Sequence, residues 1–152
     1  MSVQTSYDAC GVAYEGLITD CNPNDVVTGL VETAAGIHFG RAVSRGTADT
    51  QIVIGGDGTF YGVTGRTHEN PNPTDPADYE ISAECEAVPV LLEGYIWVLC
   101  VTAASAGAAL HYTDVTGVID TGAAGGGETT LPGETMTDNA ANSLVKIRVR
   151  RA

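Results

Sequence analysis

The sequence predicts an all-β protein, a small barrel or sandwich of about eight to ten short strands with an extended N-terminal arm. First, 19 of the 152 residues are glycine, and glycine, proline, asparagine and aspartate separate many short apolar stretches. Second, apolar spacing typical of helices is scarce, whereas the alternation typical of strands recurs. Third, a hydrophobic fraction of 43% supports a packed core, and a chain of this length is expected to form one domain.

The longest apolar stretch, residues 93–101, contains the only tryptophan and is expected to be the central strand. Its β-branched and aromatic residues favour a strand over a buried helix, and Gly94 stands at its start. Apolar residues occupy both alternating faces, which predicts a strand that is covered on both sides. One face carries Tyr95, Trp97, Leu99 and Val101, and the other carries Ile96, Val98 and Cys100.

Residues 1–25 are predicted to form the extended arm, and residues 26–152 a single β-domain. Polar and small residues dominate the arm, and large apolar side chains occur singly, without a regular period. Such a segment cannot form a core of its own, so it lies either along its own domain or on a partner. The candidate partner contacts in the arm are Tyr7, Tyr14, Leu17 and Ile18.

Four strands are predicted in the first half of the β-domain, at residues 26–33, 37–43, 51–54 and 59–64. The apolar residues of 26–33 also fit helical spacing, but the valine, threonine and glycine there favour a strand. The Gly-rich residues 55–58 are interpreted as a tight turn, because they lack the lysine and the following helix of a phosphate-binding loop.

The second half begins with the proline-rich residues 68–78, which predict an exposed loop. Strands are predicted at residues 79–81, 87–91, 95–101 and 110–113, with a turn at Glu93–Gly94, a flexible loop at 122–127 and a proline turn at the start of 130–137. Residues 143–150 alternate strongly and predict a last strand. Val145, Ile147 and Val149 are expected to face inward, and Lys146, Arg148 and Arg150 outward.

The formal net charge is −12, which weighs against a nucleic-acid-binding protein, because such proteins usually present a basic patch. Four of the seven basic residues are near the C-terminus: Lys146, Arg148, Arg150 and Arg151. Two explanations fit this strip. Lysine and arginine on an edge strand discourage edge-to-edge pairing. Alternatively, Arg148, Arg150 and Arg151 contact an acidic neighbour, either a second copy of the chain or a larger acidic assembly.

Motifs for catalysis, metal binding or cofactor binding are not found in the sequence. The three histidines show no metal-ligand spacing with cysteines or carboxylates, and no serine stands in a nucleophile elbow. Residues 1–6 lack the pattern of a secretory signal, and no apolar run approaches the length of a membrane span. We therefore expect a non-enzymatic protein without a cofactor, made in a cytoplasm and without a membrane partner.

Four cysteines, Cys10, Cys21, Cys85 and Cys100, are spaced too far apart for a zinc ribbon or a thioredoxin motif. Two disulfides, between the first and second and between the third and fourth, are compatible with their positions. The alternative is four reduced thiols, which a protein made in a cytoplasm favours.

Several segments resemble, in order, the structural cement (capsid decoration) proteins of tailed bacteriophages, the Gp24-like family. The two most specific matches are Gly36–Val43, with the pattern G-I-x-F-G-x-A-V, and Gly94–Val98, with the pattern G-x-I-W-V. The weaker matches are Ser6–Tyr7, Glu15–Asp20, Val26–Glu32, Gly46–Asp49, Phe60–Val63, Val90–Glu93, Ala106–Gly107 and Leu131–Gly133.

The resemblance implies a non-enzymatic protein on the outer surface of the phage head, synthesised in the host cytoplasm. Its partner would be the major capsid protein, whose subunits it would bridge and stabilise, and it would form a homo-oligomer, with a trimer favoured. The alternative is a carbohydrate-binding or adhesin β-domain on the virion surface. That alternative requires an exposed aromatic cluster, for which the sequence offers Tyr61, Tyr79, Tyr95, Trp97 and Tyr112.

Overall fold

The computed structural model describes residues 13–19, 23–56, 59–66 and 86–152, and the backbone of residues 80–81. Within these ranges all regular secondary-structure elements are strands, so the predicted all-β fold is confirmed. The described part of the chain contains no helix that could cross a membrane. In chain order the strands are β1 (Asp25–Val31), β2 (Ile37–His38), β3 (Ala42–Arg45), β4 (Gln51–Ile54), β5 (Gly62–Thr64), β6 (Glu80–Ile81), β7 (Ala87–Cys100), β8 (Ala109–Thr113), β9 (Ile119–Thr121), β10 (Glu128–Thr135) and β11 (Ser143–Val149).

Five strands close into a small barrel. Strand β1 pairs in parallel with β4 and antiparallel with β7, and the antiparallel pairs β4–β3, β3–β5 and β5–β7 complete the ring. Closing a sheet in this way removes its exposed edges. The apolar cluster of this half consists of Val31, Ile37, Phe39, Val43, Ile52, Val88, Val90 and Leu92.

A second sheet grows from the same long strand. Beyond the barrel, β7 pairs with β11 over residues 94–100, and β10, β8 and β9 follow in that order. Its buried side chains pack against Ala42, Val63 and Leu91 of the barrel strands, so the two halves share a core. The sheet contributes Ile96, Val98, Cys100, Leu110, Tyr112, Ile119, Leu131, Val145, Ile147 and Val149.

Strand β7 is continuous, so the predicted turn at Glu93–Gly94 is wrong. Gly94 has φ +139°, a conformation that favours glycine, and bends the strand without ending it. Opposite this point, Asp25 pairs with Glu93 and Val26 with Leu91. The extra residue between the two pairs forms a β-bulge, which turns the strand from the barrel into the second sheet.

The other sequence-predicted strands are confirmed in part. Those at residues 26–33, 51–54, 110–113 and 143–150 are present, with ends shifted by at most two residues. Residues 37–43 form two strands, because Phe39 and Gly40 make a turn in which Gly40 has φ +71°.

The structure differs from the predicted elements in three further places. Only the last three residues of the stretch predicted at 59–64 pair as a strand. The predicted proline turn is wrong, because β10 runs through Pro132, where a register shift between Leu131 and Glu134 accommodates the missing N–H. Strand β9 is not among the predicted strands, because its three residues carry too short a pattern.

Residues 13–19, which we call the strap, lie along the edge of β7 opposite β11. The N–H of Gly16 donates a hydrogen bond to the carbonyl oxygen of Trp97 (2.8 Å). The N–H of Trp97 in turn donates to the carbonyl oxygen of Leu17 (3.0 Å). The N–H of Thr19 donates to the carbonyl oxygen of Tyr95 (3.1 Å), and Ile18 packs against the shared core. This half of the predicted arm therefore lies on its own domain.

Candidate partner-binding surface

One side of the second sheet faces away from the shared core. Along β11, Val145, Ile147 and Val149 are buried, so the residues between them point outward, as predicted. The register places Lys146 opposite Trp97 and Arg148 opposite Tyr95. We call this side the outer face; its side chains are Leu17, Tyr95, Trp97, Leu99, Glu134, Met136, Leu144, Lys146 and Arg148.

The outer face corrects the prediction that β7 is covered on both sides. Ile96, Val98 and Cys100 are fully buried, but Tyr95 and Trp97 are only half-buried and Leu99 is 38% exposed. The prediction failed because the second layer of the fold lies on one side only, while the strap covers just the edge of β7. Tyr95 and Trp97 are thus surface residues that the sequence reasoning assigned to the core.

Two cations flank an aromatic ring on the outer face. The Nζ atom of Lys146 lies 5.2 Å from the ring centre of Tyr95, and the Cζ atom of Arg148 lies 6.0 Å from it. Among the described residues, neither cation forms a salt bridge. The ring attracts both cations through its quadrupole and so holds them on the outer face.

The remaining members of the basic strip are already paired. Arg150 forms a salt bridge with Glu134 (2.8 Å), and Arg151 forms one with Asp25 (3.2 Å). Strand β11 lies between β7 and β10, so the explanation that the strip protects a sheet edge is wrong. Of the three predicted arginine contacts, Arg148 is the one on the outer face that forms no salt bridge within the described ranges; its cross-strand neighbour Glu134 is bridged to Arg150.

The predicted contacts of the arm separate into three groups. Leu17 lies beside Trp97 at the rim of the outer face. Tyr14 is 56% exposed, with the Arg66 guanidinium 5.2 Å from its ring centre. Ile18 packs on the core, so it is not displayed to a partner while the strap is docked. Tyr7 lies outside the described residues.

Cys100 is a buried free thiol at the end of β7. Burial, assisted by the charges of Asp120 and Glu15, raises the pKa of Cys100 to about 12. Such a thiol is almost wholly protonated at neutral pH and therefore a poor nucleophile. The free thiol of Cys100 contradicts the predicted disulfide between Cys85 and Cys100. Cys10, Cys21 and Cys85 lie outside the described residues, so the pairing of Cys10 with Cys21 stays a prediction.

The described residues include two shallow cavities and no cluster of three or more side chains that could hold a metal ion. A cavity of about 210 Å³ opens between Pro23, Glu93, Tyr95 and Arg148, at the end of the outer face. A larger one, of about 440 Å³, lies where the barrel meets the β8–β9 turn, and includes His38 and Val115 in its lining.

The aromatic residues considered for carbohydrate binding do not form one cluster. Tyr112 is fully buried and donates a hydrogen bond to the carbonyl oxygen of Gly56 (2.8 Å). Tyr61 lies under the guanidinium of Arg45 on the barrel (4.6 Å), away from Tyr95 and Trp97. Tyr79 lies outside the described residues.

Comparisons with known proteins agree with this architecture. A sequence family described as "Structural cement protein (E217 gp24/Pam3 gp6)" matches residues 3–150. A chain in the structure titled "The capsid of Myoviridae Phage XM1" is similar to this one, with a TM-score of 0.69 and 17% identity over 91% of this chain and 90% of that chain. The head fiber gp8.5 N base of bacteriophage phi29 has a TM-score of 0.46 and 16% identity, over 84% and 97% of the two chains.

No curated protein matches the chain. At 17% identity, the similarity to the phage XM1 capsid chain supports the fold alone. The family match supports more than the fold, because it spans nearly the whole sequence, including the strap, β7 and the outer face. The chain therefore belongs to the family of phage structural cement proteins.

Proposed function

We propose that this protein is a non-enzymatic cement on the outer surface of a phage head, where its outer face binds the major capsid protein. The observation that carries this proposal is the pair of cations without salt bridges, Lys146 and Arg148, beside Tyr95 and Trp97 in the described part of the chain. In a protein with a net charge of −12, this concentration of positive charge is complementary to an acidic partner surface.

The chemistry of the outer face suits a protein–protein contact. Tryptophan, tyrosine and arginine are the residues that most often dominate binding energy at interfaces. Here they lie on a sheet, whose hydrogen-bonded backbone holds them in fixed relative positions. The cavity between Tyr95 and Arg148 has room for one side chain of the partner at the rim of the contact.

Bridging requires that one protein, or one oligomer, contact more than one capsid subunit. We propose a homotrimer over positions of local three-fold symmetry, as the family resemblance implies. Each outer face would then contact a different subunit, and the repeated contacts would add avidity without a deep pocket in any one of them. A cement that binds the mature shell better than the immature one would stabilise the mature form.

Co-sedimentation with purified heads that lack the protein tests this proposal. The double variant Lys146→Glu, Arg148→Glu should bind at least about tenfold more weakly at low salt, a loss of about 1.4 kcal/mol. The difference in head affinity between wild type and the double variant should decrease as the salt concentration rises, because screening weakens charge–charge contacts. Saturated wild-type heads should carry copies in multiples of three at each three-fold position.

Arg45→Glu is the matched control. Arg45 also lies over a tyrosine ring, that of Tyr61, but on the barrel, away from the outer face. It should leave head binding unchanged. Equal losses for the control and the double variant would reject the outer face as the contact. Binding of the isolated protein to a glycan, abolished by Trp97→Ala, would favour the adhesin alternative instead.

A further inference from the structure

The strap carries a carboxyl group in an unfavourable setting. The Oε1 atom of Glu15 is buried and, within the described residues, has no hydrogen-bond partner. The nearest cation, Nη2 of Arg41, lies 3.9 Å away, too far for a hydrogen bond. A buried charged oxygen without a hydrogen bond costs free energy, so the ionised form of Glu15 is disfavoured while the strap is docked.

Backbone geometry keeps Glu15 in this position. Gly16 and Gly40 approach closely, and both have positive φ, +78° and +71°. A Cβ atom on Gly40 would lie 2.7 Å from Cγ of Glu15, and one on Gly16 would lie 2.6 Å from Cβ of Phe39. The side chain of Glu15 thus packs against the turn between β2 and β3, where 29% of it is exposed although its Oε1 atom is buried.

Hydrogen bonds, more than buried side chains, hold the strap in place. Besides three backbone hydrogen bonds to β7, Oγ1 of Thr19 donates to the carbonyl oxygen of Tyr95 (3.4 Å) and Nδ2 of Asn24 donates to the carbonyl oxygen of Thr19 (2.6 Å). The N–H of Arg66 donates to the carbonyl oxygen of Gly16 (2.7 Å). The strap contacts the core through Ile18, whereas Tyr14 lies largely in solvent. Segments with so few buried contacts open at a small free-energy cost, so one unfavourable charge changes their opening appreciably.

The groups around Glu15 come from every element packed against it. Burial is the largest effect and raises the pKa of Glu15, whereas Arg41, His38, the backbone N–H of Leu99 and Arg66 act to lower it. The thiol of Cys100, whose own pKa is raised in part by Glu15, is neutral at physiological pH. The net direction is upward, so the docked strap binds the proton of Glu15 more tightly than the free strap does.

We propose that residues 13–19 form a pH-dependent strap, which is held on the β7 edge while Glu15 is protonated and loosens when Glu15 ionises. The sign follows from proton linkage. Docking is strongest below the pKa of the free glutamate and weakens as pH rises through the higher pKa of the docked state. Loosening exposes the backbone edge of β7 at Tyr95 and Trp97 and releases Leu17.

This device is a property of the isolated protein and does not depend on the proposed function. Only its use on a phage head rests on that proposal: a loosened strap would free Tyr14 and Leu17 to contact a capsid subunit. Tests on the isolated protein therefore distinguish failure of the strap proposal from failure of the cement proposal.

Amide hydrogen exchange of the isolated protein tests the proposal between pH 4, which is below the ordinary glutamate pKa of 4.5, and pH 8. Protection factors, which correct for intrinsic exchange, should fall with rising pH at the amides of Gly16, Thr19 and Trp97, by at least about threefold. In Glu15→Gln, which mimics the protonated acid, they should stay high and constant. The control Asp49→Asn, exposed in the β3–β4 turn, should behave as wild type.

A second variant changes the pH dependence in the opposite direction. Arg41→Gln removes the cation nearest to the carboxylate, so the strap should loosen more at pH 8 than in wild type while remaining docked at pH 5. Equal pH dependence in wild type and Glu15→Gln would overturn the proposal, and so would constant protection in wild type. If one variant fails to fold, the other still provides the comparison.

Discussion

Gly94 is the residue on which the joining of the two sheets depends. Its φ of +139° is unfavourable for any residue with a side chain. The side chain of Asn24 occupies the space where a Cβ would lie, and its Oδ1 atom accepts a hydrogen bond from the N–H of Tyr95 (3.2 Å). Position 94 therefore requires glycine for two reasons: its backbone conformation, and the close approach of the Asn24 side chain.

Gly94→Ala should therefore destabilise the protein by about 2 kcal/mol, because it adds backbone strain and a steric clash. Gly126→Ala is the control: no atom lies within 4 Å of the place that its methyl group would take, so its effect should stay within about 0.5 kcal/mol. Chemical denaturation of both variants measures the difference. Equal stability of the two would mean that the strand bends without help from glycine.

Strand β7 is the element that connects everything else. It pairs with β1 and β5 in the barrel, with β11 in the second sheet and with the strap on its remaining edge. Its two faces have different roles, since Ile96 is fully buried whereas Leu99 is 38% exposed on the outer face. Strain or a void inside β7 should therefore affect both sheets together.

Ile96→Ala should cost about 2–5 kcal/mol, because it leaves a cavity in the shared core. Leu99→Ala removes a side chain of similar size from the same strand and should cost less than about 1 kcal/mol. Trp97 fluorescence and far-UV circular dichroism, followed in the same denaturation series, should give coincident transitions for Ile96→Ala. Two separated transitions would contradict a shared core.

Charge is unevenly distributed over the whole molecule. Residues 143–152 carry four basic and no acidic residues, so the rest of the chain, with 3 basic and 19 acidic residues, has a net charge of −16. The positive charge of the outer face comes from this C-terminal segment. Two aromatic side chains of the same face, Tyr95 and Trp97, come from β7. The predicted arm also contributes to the outer face, because its second half lies at the border of that face.

Truncation separates the two halves of that arm. A chain beginning at residue 13 keeps the strap, and it should bind heads more weakly if Tyr7 is a contact. A chain beginning at residue 20 also loses the packing of Ile18 and should unfold at a clearly lower temperature. Calorimetry and head co-sedimentation provide the two measurements. Unchanged head binding by the first chain would exclude residues 1–12 as an anchor.

The sequence by itself determined the all-β class and the alternation of β11, because these follow from local periodicity and from the many glycines. It also identified β7 as the central strand. Closure of the barrel, the bend at Gly94 and the exposure of Trp97 were decided only by the tertiary structure. The physical reason is that both faces of residues 95–101 are apolar, so local alternation cannot tell which side will be covered. That choice depends on pairing with β1 and β11, whose residues lie about 40 to 70 positions away from their partners in β7.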